Sequence, residues 1–314
     1  MNEHMETISR PLDAPSLSMA AALIAAGQPV AVATETVYGL AADATNAEAV
    51  ARIYAAKGRP DFNPLIVHVP NIAVAETLGM FGEAEQALAE HFWPGPLTMV
   101  VAKTPDCPVA SIATAGLDSI AIRVPQHRAM QALLAASGRP LAAPSANASG
   151  KVSPTRASHV MASLDGRIAM VLDDGPCSAG VESTIIRVVD GAIELLRPGP
   201  ITAEALEQVS ALPVRGVSGA EIVAPGMLAS HYAPGKPVRL DARDFAAEEF
   251  GIGFGDVQGE FSLSERGDLT EAAARLFDAL HAGAASPKMR IAVATIPEQG
   301  LGAAIMDRLR RAAV

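Results

Sequence analysis

Cysteine is nearly missing from this 314-residue chain: Cys107 and Cys177 stand alone, and no pair is spaced as CxxC. That argues against a disulfide framework and a zinc knuckle, and both thiols are expected to be small buried hydrophobes in a reducing cytosol. Aromatic residues make up only 4% and charged residues 18%, while half of the chain is hydrophobic, mostly alanine and valine. Such a chain is globular rather than disordered, with length for one large or two ordinary domains. No apolar run approaches the ~20 residues of a membrane span. The first residues, MNEHMETISRPLD, lack the basic and apolar regions of a signal peptide, so a cytoplasmic, membrane-free protein is expected. Positive charge is also scarce: the net charge of −10 argues against a general nucleic-acid binder but leaves room for a local basic pocket.

Familiar catalytic motifs are absent as well. Ser149-Gly150-Lys151-Val152-Ser153 looks like the end of a P-loop, but Ser145 stands where that motif needs glycine and Val152 where it needs Ser or Thr. No GxGxxG follows a strand, no GxSxG marks a hydrolase nucleophile, and the seven histidines show no paired-ligand spacing. No protein metal site is therefore expected.

What is there is concentrated between Lys57 and His68. Asn46 opens a helical segment that Gly58 should stop, and PLIVHV reads as a short buried strand containing His68. A loop bringing Lys57 and Arg59 together beside a buried strand suits phosphate recognition, although both could simply complement the negative end of the helix. From about residue 19 to 209, strands are predicted at 29–34, 64–69, 97–103, 119–125, 140–145, 169–174, 183–189 and 192–198. Helices are predicted at 47–57, 83–92, 127–137, 155–163 and 202–209, an interleaving that favours a mixed α/β sheet. Residues 210–237, rich in Pro, Gly and Ser, read as a linker that holds an unusual His231-Tyr232 pair. Beyond it, 238–314 reads as a small α/β domain with helices at 270–281 and 301–312.

Polar clusters end or border the strands: Thr34 to Gly39, Ser119 with Arg123, Pro144 to Asn147, Ser153 to Thr155, Glu182 to Thr184, and Arg197 to Gly199. Strand ends are where α/β folds build ligand sites. Arg123 is costly to bury without an anionic partner. Taken singly, Ser153 reads as an N-cap, Asn147 as a turn former and Arg197 as a surface charge. Together they point to an α/β protein with an anionic-ligand pocket.

In order along the chain, TETVYGL, the Lys57-to-His68 segment, WPGPLT, SIAIRVP, APSAN, SPT, GVEST and LLRPGP resemble the YrdC-like family, whose members make L-threonylcarbamoyl-AMP for the t6A modification of tRNA. The segment APGMLASHYAP resembles the linker of the family's long form, which adds a small Rossmann-like domain. The resemblance implies a YrdC-like twisted mixed sheet with flanking helices over 1–209, a linker or lid over 210–237, and a Rossmann-like α/β domain over 238–314. It further implies that ATP, with Mg²⁺, L-threonine and bicarbonate give threonylcarbamoyl-AMP and pyrophosphate. Carried over by position, Lys57, Arg59, Ser145 and Asn147 would surround the nucleotide phosphates. Asn63, Ser119, Ser153, Arg197 and His231 would add ATP contacts, and Thr36, His68, Arg123, the backbone at Ala143 and Ser183 would hold threonine and its carbamoyl group. Arg123 would pair with the threonine carboxylate, and the product would pass to the downstream tRNA-transfer machinery, with at most weak contact to tRNA itself. The alternative is an RNA-binding or carbamoyl-adenylate carrier module without threonine-dependent turnover. On this reading Lys57→Ala should lower turnover far more than stability, and deleting residues 224–314 should cripple synthesis even with the first domain folded.

Overall fold

The computed structural model describes residues 6–59, 63–216 and 232–313. Strand β1 (Ile8–Pro11) and helix α1 (Ala14–Ala25) precede the antiparallel pair β2 (Val30–Val32) and β3 (Gly39–Asp43). Helix α2 (Ala47–Lys57) leads to β4 (Ile66–His68), α3 (Ile72–Leu78), α4 (Glu83–Phe92) and β5 (Leu97–Ala102). Then follow β6 (Ser119–Arg123), α5 (Arg128–Ser137), β7 (Leu141–Ala142), α6 (Ala157–Leu164) and β8 (Met170–Asp173). The hairpin β9 (Thr184–Val189) and β10 (Ala192–Arg197), helix α7 (Ala203–Ser210) and β11 (Val214–Gly216) complete the first unit.

These strands form one 11-stranded mixed sheet, ordered β1-β8-β2-β3-β7-β4-β6-β5-β9-β10-β11. Its central strands β2 and β4 are buried at every residue, which is why they read as unbroken apolar runs without alternation. The 140–145 strand shrinks to Leu141–Ala142 because Pro140 and Pro144 cannot donate to a ladder. Within the segment read as a linker, Val214–Gly216 instead adds a strand, parallel to β10 with Val214 opposite Ile193.

Helix α2 shows how sequence places the site. The Asn46 side chain accepts from the N–H groups of Glu48 and Ala49, and Gly58 ends the helix in the left-handed conformation (φ 59°, ψ 37°). That stop leaves Lys57 on the last turn and Arg59 just beyond it.

A second, four-stranded sheet is parallel throughout, in the order β12 (Val238–Ala242), β15 (Arg290–Ala294), β13 (Glu249–Gly253), β14 (Phe261–Ser262). Helices α8 (Leu269–Ala285) and α9 (Leu301–Ala312) pack with it. The two units share apolar packing. Val37, Val152 and Val181 of the first lie in one buried cluster with Leu276, Phe277 and Leu280 of α8. Gly180 makes this possible: a Cβ there would sit 2.4 Å from the Ala273 carbonyl oxygen, so loop and helix meet backbone to backbone.

Candidate active site

The loops at the strand ends shape a cleft that is partly open to solvent. Its wall carries Thr36, Arg59, His68, Arg123, Ala143, Ser145, Ser183 and Arg197, eight of the residues singled out in the sequence. Thr34, Glu182 and Tyr232 complete the polar part of the wall.

Register explains one side. Strands β4 and β6 run parallel with His68 opposite Arg123, so the two side chains leave the same face of the sheet. Arg123 is buried but not short of partners: Nη2 meets Glu35 Oε1 at 2.5 Å, Nη1 donates to Thr36 Oγ1 at 2.9 Å, and Nε donates to the Gly95 carbonyl at 3.2 Å. Glu35 thus supplies an anionic partner from within the protein for the charge in an apolar strand. One N–H on each terminal nitrogen of Arg123 has no partner among the described residues, and these can still face an anion. Glu35 is fixed in turn by the N–H groups of Gln126 and His127.

The Thr34 hydroxyl shapes the loop between β2 and β3, donating to the Val37 carbonyl at 2.6 Å and accepting from the N–H groups of Thr36 and Val37. Burial, and then the nearby Arg123 cation, push the His68 imidazole down to about 3, so it is neutral at ordinary pH. Its Nδ1 is buried without a hydrogen-bond partner among the described residues, as are Asn63 Oδ1 and Asn147 Oδ1. Of these three only His68 lines the cleft, where an unpaired buried nitrogen is a group a ligand would satisfy.

Lys57 and Asn147 stand behind the wall. The Lys57 ammonium donates to the Ser145 and Asn147 carbonyls, each at 2.5 Å, bracing the APSAN loop against α2. Burial, with Arg59 adding to it, holds this amine well below the usual lysine range. Arg59 donates to the carbonyls of Asn63 and Pro64, and burial lowers its guanidinium to about 10. Arg197 is no surface charge: it is buried and donates to Ser183 O at 2.9 Å and Ser183 Oγ at 3.1 Å. Nor does Ser153 cap a helix; its hydroxyl donates to Glu182 Oε1 at 2.5 Å. Ser119 lies at the far end of β6 from Arg123, outside the cleft lining. His231 falls outside the described residues.

Glu35 and Glu182 belong to polar clusters in the sequence and Tyr232 to the His231-Tyr232 pair of the linker segment, yet pattern alone assigns them no role. Arg308 of α9 gives a subtler signal, since it sits on the apolar stripe of Ile305, Leu309 and Ala312 at helical spacing. Thus three arginines and one glutamate line the cleft of a chain whose overall charge is strongly negative. Both nearby carboxylates are engaged, Glu35 by Arg123 and Glu182 by Ser153 and Arg308. This donor set suits an anion and any metal the anion brings with it, rather than a resident cation.

The family model described as "Telomere recombination" (Sua5/YciO/YrdC) matches residues 22–199, and that described as "Threonylcarbamoyl-AMP synthase, C-terminal domain" matches 201–314. The chain belongs to the YrdC-like family. It is 42% identical to the threonylcarbamoyl-AMP synthase of Bacillus subtilis, over 95% of this chain and 93% of the relative. The Pyrococcus abyssi synthase is 40% identical, over 94% and 93%. The crystal structure of P. abyssi Sua5 complexed with L-threonine superposes with a TM-score of 0.87 at 36% identity, covering 98% of this chain and 97% of the other. The YrdC-like mixed sheet with an added C-terminal domain is therefore the fold of this chain.

Proposed function

We propose that this chain makes L-threonylcarbamoyl-AMP from ATP, L-threonine and bicarbonate, the first step of t6A formation in tRNA. The observation that carries the reading is a cleft in which Arg59, Arg123 and Arg197 converge with the unpaired His68 Nδ1 nearby. The relatives' names as threonylcarbamoyl-AMP synthases support it.

The chemistry needs no protein nucleophile. The threonine amine attacks bicarbonate carbon and water leaves, giving a carbamate. A carbamate oxygen then attacks the α-phosphorus, the bond to the β-phosphate bridge breaks, and pyrophosphate departs. This is adenylyl transfer, so the chain would be a nucleotidyltransferase. Positioning and charge stabilisation are what the protein must supply.

Arg59 would offset charge on the phosphates, with Lys57 bracing Ser145 and Asn147 beside them and adding its own charge once an anion is bound. Arg123 would use its two spare N–H groups on the threonine carboxylate, with Thr36 positioned beside it. A neutral His68, Ala143 and Ser183 would border the amino acid and carbamoyl oxygen; an imidazole that protonates near 3 is too weak a base to drive amine attack. Asn63, Ser153, Arg197 and His231 would complete the ATP site, without Ser119, which lies outside the cleft lining. ATP would enter as its Mg²⁺ complex, with the metal held by phosphates and water. The product would pass to tRNA-modifying partners in the cytoplasm.

The test is pyrophosphate release from Mg²⁺–ATP, with L-threonine and bicarbonate each supplied or withheld. Release requiring both supports the synthase. ATP binding without threonine-dependent release would favour the carrier or RNA-binding alternative.

A further inference from the structure

Glu182 is the one acidic side chain on the described cleft wall, a poor neighbour for a triphosphate. The residue that answers it comes from the other unit. Arg308 of α9 is fully buried; its Nε donates to Glu182 Oε2 at 3.0 Å and its Nη2 to the Glu182 carbonyl at 3.3 Å. Its Nη1 donates to the Pro198 carbonyl, beside Arg197, and to Asp307 at 3.2 Å. The guanidinium also lies 5.9 Å from the centre of the Tyr232 ring, which lines the cleft. Glu182 is thus faced by Arg308, Arg197, the Ser153 hydroxyl and the Tyr232 ring, while Asp307 faces Arg308 from the other side. Burial opposes its ionisation, but Arg308 and Arg197 prevail and hold the carboxyl at about 2.

We infer that Arg308 is a positioning residue for the nucleotide end of the cleft: it occupies Glu182 so that this carboxylate neither repels the incoming phosphates nor draws Arg197 away from Ser183. This deepens the proposed function and rests on it. It also gives the C-terminal unit a part in nucleotide affinity through one ion pair across the interface.

The experiment measures ATP affinity of the full-length chain by calorimetry, with L-threonine affinity and threonine-dependent pyrophosphate release alongside. Wild type, Arg308→Met and the double variant Arg308→Met/Glu182→Gln are compared. Losing the compensating charge should weaken ATP binding by about tenfold or more, with L-threonine affinity changed less than about twofold. In Arg308→Met, ATP binding should also recover as pH falls and Glu182 protonates, whereas wild type shows no such recovery. Adding Glu182→Gln should restore ATP affinity to within about threefold of wild type, because no charge remains to be answered. Unchanged ATP affinity in Arg308→Met, or a double variant no better than the single, overturns the inference. If Arg308→Met does not fold, the double variant, in which positions 182 and 308 are both neutral, decides alone. Wild-type-like ATP affinity supports the inference, and a tenfold loss overturns it. Wild type that binds ATP yet shows no threonine-dependent release overturns the synthase reading while the affinity comparison still judges Arg308.

Discussion

Lys57 is 2% exposed, and among the described residues its acceptors are two neutral carbonyls, so its charge is poorly compensated there until an anion arrives. Because burial lowers the amine's proton affinity in the free protein, bound phosphate should raise it again. ATP binding is then expected to take up protons at a pH where the free amine has lost part of its charge. Calorimetry in two buffers of different ionisation enthalpy measures this, and zero uptake would place the phosphates away from Lys57. Removing the amine would strand the Ser145 and Asn147 carbonyls at about 1–3 kcal/mol each, so Lys57→Ala should lower stability as well as turnover. Arg59→Met is the cleaner variant, since Arg59 bonds only to carbonyls of its own loop among the described residues. It should cut turnover by about a hundredfold or more, as oxyanion-stabilising deletions do, with little change in melting temperature. His68 adds a pH signature. Its folded-state affinity, at about 3, lies below the ordinary 6.5, so the stability present above about pH 6.5 is lost progressively as pH falls toward 3. Imidazole resonances should report a neutral His68 at pH 5; a protonated ring there would contradict its dry setting. Sequence could single out Lys57, Arg59, His68 and Arg123 because cations and imidazoles stand out beside apolar strands. It could not pair Arg123 with Glu35, 88 positions away, since only the sheet brings them together.

Elements that announce themselves do so through caps and period. Helix α2 is readable from Asn46 to Gly58, and strands β4, β6 and β9 from their β-branched runs. Strand β3, GLAAD, carries no such signal: glycine and alanine lack β preference, and it is strand only because β2 and β7 flank it. Strand β11 likewise exists through its pairing with β10, which composition alone reads as linker. Two glycines with positive φ separate local strain from tertiary packing. Nothing lies within 4 Å of where a Cβ on Gly58 (φ 59°) would stand, so Gly58→Ala meets only the left-handed backbone penalty of about 1–2 kcal/mol. At Gly180 (φ 69°) the same methyl would also strike α8 backbone at 2.4 Å. Denaturant unfolding should therefore show Gly180→Ala to be the costlier change by more than about 1 kcal/mol, and equal losses would mean the interface yields.

At the scale of the whole molecule, the cleft belongs to both units. Val37, Val152 and Val181 adjoin Thr36, Ser153 and Glu182 in sequence, yet their side chains are buried in the cluster that α8 completes. Thr155 and Arg156 bond to Asp278, and the Ser153 carbonyl lies 3.1 Å from His281 Nε2, so the SPT loop is also held from the second unit. Deleting residues 224–314 would expose those valines, each worth about 1.5–3 kcal/mol of burial, and would release Glu182. Loss of synthesis in the truncated chain would then mix instability with a missing part, rather than report a lid alone. Phe277→Ala in the full-length chain separates the two. Phe277 is fully buried and stacks on Tyr232, with ring centres 5.4 Å apart, so it joins the core of the second unit to the cleft wall. The variant should lose about 3–5 kcal/mol in denaturant unfolding, as large core truncations do. If the second unit shapes the nucleotide end, ATP affinity should also fall at temperatures where the variant is fully folded, while L-threonine affinity holds. A folded variant with unchanged affinity for both would show that the second unit clamps the cleft without shaping it.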